Sequence, residues 1–315
     1  MDRRESRRQG TGGPLNAVYP RCNIILLGVF FIALIGCGKS PTPLPEVAGD
    51  VPVSPPLPGI AYRVETTGTL AGRVKWSGPV PIRGQSTGAV PKGEGYAMKA
   101  YPVAFAVRVD SKTHGLADVL VTVKVAEPER WKAWPHPAAR IVARDFRLTA
   151  FQGEREMSGP LIVRRGESLS IASAEDELHV FRGRGVAFFS LTFPKAMIRT
   201  VEMNRSGIAE ITSGAGYHWL AHDVAVSDHP YLAVTDDQGR FSLDGLPAGT
   251  YEVSFRLRDP TILNRERDPE TGLWFRTNHA PAVVKTIQAV VAVDRVAEAT
   301  VHYDGNDLNQ TESQR

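Results

Sequence analysis

Cysteine is nearly missing from this 315-residue chain: Cys22 and Cys37 are its only two, and no thiol follows position 37. That scarcity excludes disulfide staples and cysteinate metal ligands from everything downstream. Long apolar runs are missing too. The stretch "IILLGVFFIALIGC", Ile24 to Cys37, falls short of the roughly 20 residues that a bilayer-spanning helix needs. Also lacking are a Gly-x-Ser-x-Gly nucleophile elbow, a glycine-rich phosphate loop and a His-Glu-x-x-His pair, so the common hydrolase, nucleotide-dependent and zincin sites have no footing and no enzyme is expected. Nor is there an excess of charge. Of 37 Lys and Arg against 34 Asp and Glu, five arginines (3, 4, 7, 8 and 21) stand before Cys37 with Asp2 and Glu5, which leaves 32 of each sign beyond them. A balanced body offers no electrostatic footprint for nucleic acid, and none is expected as a partner.

What stands at the front is a basic segment, a short apolar core and small residues, the arrangement of an export signal. The ending Leu34-Ile35-Gly36-Cys37 resembles the bacterial lipobox. That resemblance implies a signal peptide over residues 1–37, lipidation of Cys37, and an exported protein held to a membrane and facing the periplasm or cell surface. Ordinary secretory cleavage or an uncleaved anchor is the alternative. Residues 38–60 follow as a linker, with seven prolines between Lys39 and Pro58, a composition that stays extended and semi-rigid.

The body reads as strands. "GRVKWSG", "VAFAVRVD", "ADVLVTVKV", "PLIVRRGESLSIAS" and "GTYEVSFRLRD" are short, alternating, rich in β-branched and aromatic residues, and bounded by Gly, Pro, Asp or Ser. "AEPERWKAWPHPAARIVARDF" would be the nearest thing to a helix, but Pro128, Pro135 and Pro137 interrupt it. An all-β body of about 250 residues exceeds one sandwich, so two are expected.

Two separated segments look like halves of one module. "GTLAGRVKWSGPVP" with "GLADVLVTVK", and later "YLAVTDDQGRFSLDGLPAGTYEVSF", resemble the carboxypeptidase regulatory-like family, a transthyretin-like sandwich. They place its first half at residues 61–125 and its second at 230–303, with 304–315 as a disordered tail. Asp236 in the second half reads as a turn aspartate bonding its own backbone. Between the halves, residues 126–229 carry "LIVRRGESLSIASAEDELHVF", "FFSLTFPKAM" and "VAVSDHPYLAVTD", which resemble the plastocyanin-like, cupredoxin-related domains, including those of methylamine-utilisation proteins. The expected fold is therefore a Greek-key sandwich inserted in another sandwich.

That second resemblance implies four copper ligands, and most are replaced here. The first histidine is kept as His179, whereas Gly214 stands at the thiolate position, Tyr217 at the second imidazole and Leu220 at the thioether; Ser173 and Glu175 replace the asparagine and aspartate that fix the loop. Type 1 copper needs the soft thiolate, so no metal or other cofactor is expected. A histidine-only copper or zinc site built from His179, His218 and His222 is the alternative, since both metals accept imidazole. The competing reading fills this end with Tyr217, Trp219 and Leu220 and turns His218 to water.

Three further features complete the inventory. His229 in "DHPY" reads as a packed junction between the sandwiches, and Glu175-Asp176-Glu177 as an exposed turn. Trp131 and Trp134 in "RWKAWPHP" are candidate stacking residues for a sugar or peptide, or a cover for a sheet edge; Trp76 and Trp219 are also available. The sequence thus supports a non-catalytic, membrane-anchored binding or structural lipoprotein with an unknown protein or glycan partner. Alternatives are a periplasmic metal-binding or electron-transfer-related protein, and a carbohydrate-binding module.

Overall fold

The computed structural model describes residues 62–309 apart from positions 83, 93, 126–130, 268, 271 and 273. Cys37, the leader and the proline-rich linker lie outside the described residues. Within them the chain is all-β, and the strands fall where alternation predicted them except over 103–110, where the chain turns at Phe105 in a left-handed backbone (φ 60°) and makes only an isolated bridge, Val109 with Leu116.

The chain opens with β1 (Thr67–Ser77), β2 (Gln85–Lys92), β3 (Gly95–Pro102) and β4 (Leu120–Val123). Next come β5 (Ala139–Arg144), β6 (Arg147–Gln152), β7 (Arg155–Met157), β8 (Leu161–Arg164) and β9 (Ser168–Ser173), then β10 (His179–Gly185), β11 (Phe189–Phe193), β12 (Met197–Glu202), β13 (Gly207–Ser213) and β14 (Ala221–Ser227). It closes with β15 (Leu232–Val234), β16 (Arg240–Pro247), β17 (Gly249–Leu257), β18 (Ile262–Arg267), β19 (Trp274–His279), β20 (Val283–Val291), β21 (Val296–Asp304) and the short helix α1 (Gly305–Asn309).

Two sandwiches result, one interrupting the other. Sheets ordered β12-β9-β5-β6-β7 and β11-β10-β13-β14-β8 enclose an inner core that includes Ile141, Leu169, Phe181 and Ile211. Sheets ordered β15-β4-β17-β20 and β16-β1-β21 enclose an outer core that includes Leu70, Val121, Leu246 and Phe255. The chain leaves the outer sandwich after β4 and returns to it at β15.

The two sandwiches share a buried face. Leu120 and Leu232 of the outer sandwich pack against Ile162 and Ala225 of the inner one, so β4 buries Leu120 on one face and Val121 and Val123 on the other. Ions complete the junction: Arg256 Nη1 donates to Asp223 Oδ2 at 3.0 Å, and Arg258 Nη2 to Glu210 Oε2 at 2.6 Å. At a second point Arg108 Nη1 and Ser158 Oγ both reach the Asp118 carboxylate, at 2.8 Å each.

Local chemistry explains the turns. Asp236 Oδ1 accepts from the Gln238 and Arg240 amides at 2.9 and 2.8 Å, which is the turn role its sequence context predicted. Gly239 has φ of 72°, and a Cβ there would lie 2.2 Å from the Val74 carbonyl oxygen. Only glycine fits both the left-handed backbone and that approach.

Two expectations about boundaries need correction. Residues 304–309 are ordered rather than a loose tail: Lys285 Nζ donates to Asp307 Oδ2 at 2.7 Å, the Asp304 amide donates to the same oxygen at 2.8 Å, and Leu308 packs on the outer core. Positions 310–315 lie outside the described residues. The segment 61–125 does not belong wholly to the outer sandwich either. Its β2–β3 hairpin sends Val90 and Tyr101 into the inner core, because those two apolar faces find no partner on the outer sheets.

Candidate functional site

The end of the inner sandwich where the copper resemblance pointed is formed by the β9–β10 and β13–β14 connections, with the β2–β3 hairpin laid over it. The β13–β14 connection is folded tightly. The Leu220 amide donates to the Tyr217 carbonyl at 2.9 Å, the Ser213 amide to the Leu220 carbonyl at 3.0 Å, and the Gly214 amide to the Val180 carbonyl at 2.7 Å.

Aromatic rings fill the space these loops enclose. Trp219 is 7% exposed, stacks on Tyr101 with centroids 4.6 Å apart and an interplanar angle of 7°, and donates its indole N–H to the Phe146 carbonyl at 2.9 Å. Gly88 makes the stack accessible: a Cβ at that position would lie 1.9 Å from the Trp219 ring. Tyr217 meets Phe146 at 5.0 Å, His179 at 5.3 Å and Trp219 at 5.7 Å. Burial, followed by the Glu175 and Glu177 carboxylates, pushes its phenol up to about 12.

His179, the one ligand position retained, is fully buried, with one ring nitrogen engaged and Nδ1 without a hydrogen-bond partner. Its Nε2 lies 2.5 Å from Glu175 Oε2, while Glu175 Oε1 accepts from the Phe146 amide at 2.9 Å. Around it stand Phe181, stacked at 5.6 Å, and Phe146 at 5.6 Å. The exposed-turn reading of Glu175-Asp176-Glu177 is therefore corrected for Glu175, whose side chain is only 9% exposed. Burying that carboxylate requires the two hydrogen bonds it makes.

The other two histidines go elsewhere. His218 is half-buried: it meets the Trp219 ring at 5.1 Å and lines a cleft with Glu210, Thr212, Arg276, Thr277 and His279. Burial and then the charge of Arg265 lower its proton affinity. His222 lies on β14, buried opposite Ile211 of β13. Among the described residues no group of three His, Cys, Asp or Glu side chains could hold a metal ion. A histidine-only site of His179, His218 and His222 is thus not assembled. The type 1 copper donor set does not fit either: no thiol follows position 37, Tyr217 is packed among aromatic rings and Leu220 lies in the core.

Comparison with known proteins adds little. No protein-family model and no curated protein matches the chain. Solved structures cover about a third of it. Amicyanin from Paracoccus versutus is 15% identical with a TM-score of 0.22, covering 34% of this chain and 97% of that one. A reduced amicyanin mutant is 14% identical with a TM-score of 0.23, covering 29% and 82%. A heme-copper terminal oxidase dimer structure is 14% identical with a TM-score of 0.22, covering 33% and 78%. At such scores a likeness carries no argument, and the site is read from its own residues.

The candidate stacking residues also change role. Trp131 is half-buried against the outer core and meets His229 edge-on at 5.9 Å, and Trp134 packs on the apolar cluster between the sandwiches. Trp76 is 3% exposed and donates to the Pro79 carbonyl at 2.8 Å. These indoles join elements together rather than standing out as platforms, because each finds apolar surface that a neighbouring strand leaves uncovered.

A pH dependence follows from two histidines. Burial lowers His222 from 6.5 to about 4, and His229 likewise to about 4. Below pH 6.5 the unfolded chain takes up protons that these folded imidazoles refuse, so stability is full at neutral pH and falls as the pH drops toward 4. The expected loss from His222 alone is about 3 kcal/mol. Urea midpoints measured between pH 7 and pH 4 check it, with His222→Asn flattening the slope; an unchanged slope in that variant would refute the assignment.

Proposed function

We propose that this chain is a non-catalytic exported protein, anchored to a membrane through Cys37, with a binding or structural role and without type 1 copper. The observation that supports it most directly is the packing of the Tyr217, Trp219 and Tyr101 rings over His179, with Leu220 in the core, where a metal site would need room and donors. The Glu175 carboxylate occupies Nε2 alone, so a metal would have to reach the unpartnered Nδ1 of His179, and to do so it would have to open a packed aromatic cluster. The leader and its Leu34-Ile35-Gly36-Cys37 ending support the anchor. On this reading the inner sandwich is a rigid body fastened to the outer one by hairpins and ion pairs, and its surfaces serve partners of protein or glycan chemistry.

Cell fractionation followed by metal analysis tests the reading. The chain is expected in the membrane fraction and Cys37→Ala in the soluble one; the purified protein, dialysed against Cu(II) or Zn(II), is expected to retain far less than one ion per chain. One ion per chain, lost in His179→Ala, would overturn the metal-free reading, and a Cys37→Ala variant that stays with the membrane would overturn the lipid anchor.

A further inference from the structure

β20 lies at the edge of its sheet, pairing with β17 on one side, and among the described residues no strand pairs with the other. Its sequence, Val283-Val284-Lys285-Thr286-Ile287-Gln288-Ala289-Val290-Val291, is close to a palindrome about Ile287. Side chains alternate between two surroundings. Ile287, Ala289 and Val291 turn to the outer core, and Lys285 turns in the same direction over the Tyr303 ring to reach Asp307. Val284, Thr286, Gln288 and Val290 are exposed, with the two valines 54% and 68% accessible.

Exposed sheet edges are usually blunted by an outward charge, a proline or a bulge. This edge has no outward charge, proline or bulge, and its one inward charge, Lys285, is paired within the chain. The register with β17 runs without a shift from Val283 to Val291.

We propose that β20 pairs antiparallel with β20 of a second copy of this chain, about a two-fold axis through Ile287. That register sets Val284 opposite Val290 of the second copy and Thr286 opposite Gln288 of the second copy. Lys285 meets Ala289 of the second copy, so no like charges face each other across the pair. Each exposed valine is covered by the other's mate, and the four-stranded sheets of both copies become continuous. A shift of two residues sets valine against Gln288 or Thr286, and an odd shift sets inward side chains against outward ones. The contact is isologous and closes on itself, so it stops at two copies. It stands apart from the copper question and from the lipid anchor.

Disulfide trapping tests the register. In the full chain, purified in detergent micelles with Cys22→Ala and Cys37→Ala, Thr286→Cys and Gln288→Cys are made separately. Oxidation of the two variants mixed is expected to yield at least about tenfold more linked dimer than either alone, because only the mixed pair brings Cβ atoms to within about 4.5 Å. Equal yields in all three samples, or none in any, would overturn the proposal.

Sedimentation in the same micelles gives an independent reading. Thr286→Lys with Gln288→Lys sets like charges opposite each other twice and is expected to weaken the dimer about tenfold or more. Thr286→Lys with Gln288→Glu is expected to restore it. A single-copy mass at all concentrations would give the edge to some other occupant, and a dimer indifferent to the paired lysines would place the contact elsewhere; either result sinks the inference.

Discussion

Trp219→Ala lowers the unfolding free energy by about 3–5 kcal/mol, the range for removing a buried large aromatic side chain. The indole does three things at once, which is why the loss is expected near the top of that range. It fills the end of the inner sandwich, stacks on Tyr101 of the β2–β3 hairpin, and satisfies the Phe146 carbonyl. Its loss leaves Gly88 facing a void where the ring had been in contact, so the hairpin loses its seat. Urea unfolding of the wild type and the variant measures the difference, and limited proteolysis is expected to cut first between Gln85 and Pro102. A loss below about 1 kcal/mol would mean that the hairpin does not depend on the ring.

Asp223→Ala is expected to cost a comparable amount, about 3–5 kcal/mol, because it strands a largely buried charge. Asp223 is 3% exposed and Arg256 18%, and the two meet at 3.0 Å across the face between the sandwiches. Without the carboxylate the guanidinium keeps its desolvation cost and loses its compensation. Replacing both partners with apolar residues, Asp223→Leu with Arg256→Met, is expected to recover most of the loss, since the pair's net worth is far smaller than the penalty for breaking it. A double-mutant cycle by chemical denaturation reads the coupling directly. Equal destabilisation in the single and the double variants would show that packing, not the uncompensated charge, sets the cost.

Both predictions concern contacts between segments far apart in the chain, and these were the least legible in the sequence. Nothing in "GYAMKAYP", Gly95 to Pro102, says that Tyr101 lies on Trp219. "ESLSIASAEDELHVF" reads as a strand ending in an acidic turn, yet Glu175 folds back beneath that turn to take the imidazole of His179. Acidic triplets are usually solvated, whereas one of these three carboxylates is held by the Phe146 amide and the His179 ring. His218 is equally illegible, since β19, which supplies the other wall of its cleft, lies about sixty residues further along the chain.

Some conclusions needed no fold. The scarcity of cysteine removes the thiolate from any site beyond position 37, whatever the chain's shape. Alternating β-branched and aromatic residues between turn formers make the body all-β, because the period of a side-chain pattern reports which faces are apolar. The Asp236 turn was equally readable, since its hydrogen bonds reach only to Gln238 and Arg240. The tertiary structure alone decided which apolar faces meet: that a hairpin from the outer half completes the inner core, that Trp131 and Trp134 lie against cores, and that three histidines point to three different places. Periodicity specifies that a face must be buried and leaves open against what, and partners separated by a hundred residues are chosen only by how the whole set of faces fits together.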